Sequence, residues 1–311
     1  MRFIVAFIAC IFAGQSCSAW SEGGHHLIAV LAFDELTSDV RSSVLDLLGH
    51  HPRFEQDFKI PEKVRDPDRW MIGRAAFWPD VARRTSFDRP KWHYDVFINA
   101  TVGDFEDVPL SPRLPPDDAT LATKELNIKQ AIRLCRKVLK DKNQPPADRA
   151  IALCWICHLV GDANQPCHSG SLYSKRLFPT GDRGGNEIPT KQGRNLHALW
   201  DNLLGPKFDE GDVLRRAAEV RDSGEFLGAA EVAKSQRGKE PECWLMQAPT
   251  GYVYDKDVIR AIEQAEINGA KLEPIQLSKE YLSRAGTLAK ELAARAAMAL
   301  AAILREDFED N

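Results

Sequence analysis

The chain carries eight histidines: His25, His26, His50, His51, His93, His158, His168 and His197. His158 and Asp162 stand four residues apart in a run that reads as helix, so both side chains leave one face. His197 and Asp201 repeat the spacing. Imidazole nitrogen plus carboxylate oxygen is a ligand set of the zinc type, and one ion reaches both across a helical turn. Either pair alone reads equally well as a helix-surface or capping interaction. His168 follows Asp162 by six residues, past the Gln165-Pro166 break, so the chain can turn it back toward the same cluster. Asp80 lies in Trp78-Pro79-Asp80 and His93 in Trp92-His93-Tyr94. In Trp20-Ser21-Glu22-Gly23-Gly24-His25, a free α-amino group and a carbonyl at Trp20 can chelate a metal beside His25. His26 reads as a neighbour facing away, and His50-His51 as a solvated helix end.

Helices must position these residues. The pattern predicts helices over Gly24 to Leu36, Asp39 to Leu48, Pro116 to Leu139, Pro146 to Asp162 (uniformly apolar, hence central), Arg194 to Leu204 and Leu277 to Arg305. Strand signals are confined to Trp92 to Phe97 and a ribbon around Phe178 to Ile188. With no repeat or linker, the expectation is an all-α single domain over residues 20–311 with at most a short β-ribbon. The 311 residues have a formal charge of −4, are 44% hydrophobic and 28% charged, and so exclude a disordered chain or a multi-span membrane protein. The mild acidity argues against coating nucleic acid by bulk charge, though not against gripping a phosphate with a few focused charges.

Arg2 precedes an apolar run from Phe3 to Ala13 and the small residues Ser16 to Ala19, which reads as a secretory signal peptide cleaved before Trp20. The run is short for a membrane span. A secreted or periplasmic protein is expected, with no stable membrane association. Cleavage leaves Cys135, Cys154, Cys157, Cys167 and Cys243, an odd number. Cys154 and Cys157 fall inside the central helix and read as small buried hydrophobes rather than a redox pair.

The segments WSEGGH, WPD with Arg83 three residues on, WHY, HLVGDANQPCH, GDRGGN and NLHALWD resemble, in order, the zinc-dependent single-strand nucleases of fungi, plants and bacteria. The resemblance implies three zinc ions per chain. Asp80, His93, His158 and Asp162 would hold one; Trp20, through its amino nitrogen and carbonyl, would hold the second with His25 and a shared Asp162. His168, His197 and Asp201 would hold the third. Asp80 would also orient the attacking water, Arg83 would meet the transition-state charge, and Asn186 would bind the substrate phosphate. The physical chemistry agrees: paired zincs bring the pKa of a water toward neutrality, and a third stabilises the leaving oxygen. Three divalent ions would also outweigh the formal −4 locally.

The expected substrates are single-stranded DNA, RNA and 3′-nucleotides, cut to leave 5′-phosphates by a monomeric enzyme, with Tyr94 as the aromatic on which a base stacks. One departure concerns Val96, where fungal relatives carry an acidic base contact; Asp95 stands one step earlier. The fungal disulfide after His93 has no counterpart. Two other readings stay open: a zinc phospholipase C, which shares the architecture but more usually carries Glu at the Asp201 position, and a secreted metal-binding protein without catalysis.

Overall fold

The computed structural model describes residues 20–95, 98–103, 112–235 and 250–309. The expected signal peptide 1–19, Val96 and Cys243 lie outside them. Among the described residues the chain forms α1 (Glu22–Asp34), α2 (Ser38–Leu48), α3 (Phe54–Asp57), α4 (Pro67–Val81), a 3-10 turn (Pro90–His93), β1 (Ile98–Val102), α5 (Ile128–Lys140), α6 (Pro146–Ala163), β2 (Ser171–Ser174), α7 (Leu196–Asp201), α8 (Glu210–Arg221), α9 (Gly224–Ser235), a second 3-10 turn (Thr250–Tyr252), α10 (Lys256–Ile267) and α11 (Lys279–Glu309). The all-α expectation holds.

Two helices have no solvent face. Every residue of α1 from Gly23 to Phe33, and of α6 from Ala150 to Ala163, is buried. A helix enclosed all round must be wrapped by others. α4, α8 and α11 pack on α1, while α4, α5 and α11 pack on α6. Pro146 opens α6 at its first turn, where a missing N–H costs nothing. At the other end the Gln165 N–H bonds the Asp162 carbonyl at 2.9 Å, and Pro166 prevents continuation. α1 and α4 approach so closely that a Cβ at Gly73 would stand 2.1 Å from His26 Nδ1.

Helix α4, which carries Asp80, is absent from the sequence expectation, although its start is marked. Asp66 accepts from Arg69 N at 3.1 Å ahead of Pro67, an N-cap followed by a first-turn proline. Pro79 sits in its last turn. The predicted helix from Pro116 begins only at Ile128, because an Asn127 and Gln130 capping box fixes the start there. Residues 116–127 form turns instead.

The strands also differ from expectation. Trp92 and His93 lie in a 3-10 turn, and the ribbon region around 178–188 is made of turns. β1 and β2 pair in parallel, with Ile98 opposite Ser171 and Val102 opposite Ser174. β1 follows the His93 turn and β2 follows His168, so the pairing binds two site-bearing segments together.

Trp78, Trp92, Trp155 and Trp200 are fully buried. Trp92 and Trp155 have ring centroids 4.8 Å apart, and the edge of Trp155 meets His93 at 5.4 Å. This apolar wall lowers the local dielectric around the polar cluster. Cys154 and Cys157 are buried free thiols, as expected, Cys135 is a third, and burial pushes the Cys157 thiol up to about 12.

Candidate metal centre

The first turn of α1 delivers His25, the last turn of α4 Asp80, the 3-10 turn His93, the last two turns of α6 His158 and Asp162, the loop beyond them His168, and α7 His197 and Asp201. His158 Nε2 lies 3.1 Å from Asp162 Oδ2 across one helical turn, and His197 Nε2 lies 3.5 Å from Asp201 Oδ2 across another. Around the Asp162 carboxylate, His93 Nδ1 stands at 2.9 Å, His25 Nε2 at 3.4 Å and His168 Nδ1 at 3.8 Å. His93 Nδ1 is 2.9 Å from His158 Nε2, and the Nε2 atoms of His168 and His197 are 3.0 Å apart. Three groups result: His25, Asp80 and His158; His93, His158 and Asp162; and His168, His197 and Asp201. The ligand atoms within each lie within 4.8 Å of one another.

The donor atoms fit cations. Both nitrogens of His25, Nε2 of His93, Oδ2 of Asp80 and Oδ1 of Asp162 are buried without a hydrogen-bond partner. Several such atoms in one cavity would cost about 1–3 kcal/mol each if nothing answered them. Three rings are held from behind by backbone carbonyls. The Nδ1 atoms of His158, His168 and His197 lie 2.7 Å from the carbonyl oxygens of Ala76, His93 and Gly184 respectively. A carbonyl fixes the proton on Nδ1 and turns the Nε2 lone pair inward, the usual support for a metal-bound imidazole.

Burial, with neighbouring imidazoles adding to it, holds His25, His93 and His168 well below the usual histidine range. They are neutral lone-pair donors at pH 7. Burial also draws His158 down, but Asp162 outweighs it and the net shift is upward. Burial pushes Asp162 up to about 6, with His158 offsetting part of the rise. Asp201 is pushed well above the carboxylate range, by burial first, while Asp80 and Asp162 add to the rise and Gln165 opposes it. A divalent cation reverses this pressure toward protonation, so its binding releases protons.

The remaining expected residues fall around the cluster. Arg83 donates from Nε to Asp80 Oδ1 at 2.8 Å, and its Nη2 lies 2.7 Å from the same oxygen. The guanidinium is only 14% exposed, and the net shift of its pKa is upward despite burial, because Asp80, Tyr94 and Asp162 favour the charge. Tyr94 is half-buried, with one ring face stacked on His168 at 4.4 Å. Asn186 is half-buried, its side-chain amide donating to the Arg183 carbonyl at 2.9 Å. Trp20 is fully buried, and its indole donates to the carbonyl of Gly161, next to Asp162, at 3.1 Å. The following Ser21 N–H bonds the Asp201 carbonyl at 2.9 Å. Trp20 and Ser21 are thereby pinned beside two site aspartates.

His26 does turn away, into a buried slot against Phe208 at 4.3 Å, and burial lowers its pKa to about 3. The solvated reading of His50-His51 needs correcting. His50 is exposed, but His51 is buried against Phe58 and Trp78 at 5.1 and 4.3 Å, because the chain reverses after α2 and tucks the ring under α4. Asp95, beside Val96, is enclosed and faces Lys129 Nζ at 2.7 Å.

The sequence reading missed the supporting residues. Gln165 read only as a helix stop, yet its Nε2 donates to Asp201 Oδ1 at 2.6 Å. Asp182 read only as part of GDRGGN, yet it is fully buried and accepts from the N–H groups of Leu172, Gly184 and Gly185. A fully buried amide or carboxylate in a polar loop leaves no periodic signal.

Similarity to known proteins gives the cluster a context. Aligned over 317 positions, the chain is 22% identical to nuclease S1 of Aspergillus oryzae, covering 97% of this chain and 96% of that protein. It is 21% identical over 206 residues to endonuclease 3 of Arabidopsis thaliana, covering 65% and 60% of the two chains. A 56-residue stretch is 41% identical to endonuclease 4 of Arabidopsis thaliana, 17% of this chain and 16% of that protein. The matches thus span less than two thirds of either plant endonuclease. The S1/P1 nuclease family model matches residues 20–309, a stretch that contains every residue of the cluster, and the chain belongs to that family.

Proposed function

We propose that the protein is an exported zinc-dependent phosphodiesterase that cuts single-stranded DNA and RNA to 5′-phosphorylated products, with 3′-nucleotidase activity. The observation that carries this reading is Asp162: a fully buried carboxylate ringed by four imidazoles, with Oδ1 lacking any hydrogen-bond donor. Three zincs are proposed, held by Asp80, His93, His158 and Asp162; by Trp20, His25 and Asp162; and by His168, His197 and Asp201. When bound they supply a water of near-neutral pKa and Lewis-acid stabilisation of the phosphate and its leaving oxygen.

The chain's own residues orient the reaction. Asp80 has one oxygen tied to Arg83 and the other without a hydrogen-bond partner, so Oδ2 can act as ligand and hold a proton of the attacking water. Arg83, pre-ordered by Asp80 and nearly enclosed, offers fixed planar donors to phosphate oxygens as negative charge builds. Tyr94 lies over His168 and is the proposed platform for an unstacked base, which favours flexible single strands. Asn186 is the proposed phosphate contact from the loop that carries the Gly184 carbonyl. No 2′-hydroxyl takes part, so DNA and RNA both react. The leader 1–19 is proposed to be removed before Trp20 in export to the periplasm or medium, giving a single-domain monomer that no membrane retains. No helix among the described residues is long and apolar enough to cross a membrane.

The test incubates the mature chain with single-stranded DNA, a 3′-mononucleotide and phosphatidylcholine, each with and without chelator. Chelator-sensitive cutting of the DNA to 5′-phosphate ends, with release of phosphate from the mononucleotide, is expected. Hydrolysis of phosphatidylcholine alone would make it a phospholipase. Three bound zincs without turnover would make it a metal-binding protein, and 3′-phosphate or cyclic ends would sink the mechanism.

A further inference from the structure

Among the described residues the C-terminal third supplies nothing to the metal groups, yet two of its tyrosines reach the segment that does. Tyr254, just before α10, donates its hydroxyl to Asp182 Oδ1 at 3.1 Å. The same carboxylate gathers the N–H groups of Leu172 at 2.9 Å, Gly184 at 3.1 Å and Gly185 at 2.8 Å. Four donors converge on a group with relative exposure of 0%. Burial pushes its pKa up to about 7, while those four donors hold it down from a greater rise.

What the carboxylate shapes is a tight reversal of the chain. Gly184 and Gly185 have φ of +62° and +85°, and a Cβ at Gly184 would stand 1.9 Å from the Cys167 carbonyl oxygen, so this turn exists only with glycine there and with its N–H groups tied. The reversal aims the Gly184 carbonyl at His197 Nδ1, 2.7 Å away. The Gly185 carbonyl accepts from the His197 backbone N–H at 3.3 Å. Three residues further along α7, Trp200 Nε1 donates to the Tyr281 hydroxyl at 2.9 Å, and that hydroxyl donates to the Val253 carbonyl at 3.0 Å. Val253 and Tyr254 are adjacent, so one short segment is linked to α7 by two routes, through Asp182 and the Gly184 turn to His197 and through Tyr281 to Trp200.

We propose that Tyr254 and Asp182 are positioning residues for metal binding: they hold the Gly184 carbonyl that sets the tautomer and angle of His197, and so the affinity of the metal group shared with His168 and Asp201. The inference rests on reading those three residues as a metal group. A ligand imidazole loses basicity and orientation when its backing acceptor moves, and losses of about 10- to 100-fold in metal affinity follow. His25, His93 and His158 have no contact with this clasp, so their groups are unaffected.

The experiment is a zinc titration of the chelator-stripped chain against a chromophoric competitor, with thermal unfolding followed in parallel. Asp201→Ala identifies the binding step that belongs to this group. Tyr254→Phe, which removes one donor and no volume of consequence, should weaken that step about tenfold and leave the others in place. Asp182→Asn should weaken it further, and the double variant should be less than additive because both act through the same carbonyl. Asp307→Asn, remote from the clasp, controls for mere loss of stability: it should lower the midpoint without changing any zinc affinity. An unchanged step in Tyr254→Phe, or an equal weakening of all steps, would overturn the clasp. A wild-type chain lacking the step that Asp201→Ala removes would overturn the metal reading and the clasp together.

Discussion

Asp162 and Asp307 pose the same problem and receive opposite answers. Each is a fully buried acid in the last turn of a long core helix, where the helix dipole adds to the cost of negative charge. Asp307 is met by charges from the chain itself. Arg136 reaches it with Nη2 at 2.8 Å from Oδ1 and Nε at 3.2 Å from Oδ2, and Lys140 Nζ lies 3.2 Å from Oδ1. Asp162 is met by imidazoles, three of which burial holds neutral. Where the protein wants only a fold, it brings its own cation; around Asp162 it brings lone pairs, which do not neutralise a carboxylate but do complete a cation's coordination. Burial alone therefore does not mark a site. The marker is a buried acid whose neighbours are donors of lone pairs.

The largest effect that can break the comparison is removal of the acid itself. Asp162→Ala is expected to lose the two zincs it is proposed to hold and at least about a thousandfold in turnover, read by metal content and single-strand cleavage. Retention of full metal content would put Asp162 on the Asp307 side. Next comes the proposed mature start at Trp20. An added residue before Trp20 replaces the proposed amino ligand with a peptide nitrogen that has no available lone pair. That form should carry one zinc fewer and lose about a hundredfold in activity. Three metals and full activity would remove Trp20 from the ligand set. Arg83→Ala should keep all metals while kcat falls about a hundredfold, since a fixed donor acts on the transition state and not on occupancy. Loss of zinc in that variant would recast Arg83 as the cation that stabilises Asp80.

The legibility of the two regions in the sequence follows the same division. His158 with Asp162 and His197 with Asp201 were readable because one helix turn fixes both partners, and α6 was readable because Pro146 and Gln165-Pro166 bracket an apolar run. Asp80 was readable from its motif, but not the helix beneath it, since Pro79 in the last turn of α4 looks like a stop while the Asp66-Pro67 start carries no apolar period. Gln165, Asp182 and Tyr254 were invisible as a group. Asp182 ties a turn of left-handed glycines and meets Tyr254, 72 residues away, and Gln165 reaches Asp201 across 36 residues. Spacing rules reach one turn of helix; they do not reach across a fold.

Asp307→Asn tests the structural side of the comparison. Half of the charge pairing of Arg136 is lost, but Glu306 remains at 2.9 Å, so the cost should sit near the low end for a broken buried pair, about 3 kcal/mol. Urea unfolding should show it, with kcat and zinc content unchanged. A fall in zinc content would mean that the two regions are coupled.

The smallest expected effect sharpens the comparison, because it concerns a buried imidazole with no acid ring and no metal role. His51 is 3% exposed and packs on Trp78 and Phe58, and its pKa is lowered to about 4, chiefly by burial, with Arg53 lowering it further and Asp57 opposing. The folded chain therefore keeps the ring neutral down to about pH 4, whereas the unfolded chain protonates it near pH 6.5. Between those values the unfolded state binds the extra proton, so stability falls as pH drops through the window and the loss levels off below it. The free energy at stake is about 2 kcal/mol once solvent access near the surface is allowed for. His51→Gln removes the titration, so stability measured from pH 7 to pH 4 on the chelator-stripped chain should decline less steeply than in the parent. The chelator-stripped form matters, because metal release in the same range would otherwise add the protonation of the site imidazoles to the slope. Identical slopes would mean that His51 is as solvated as its exposed neighbour His50.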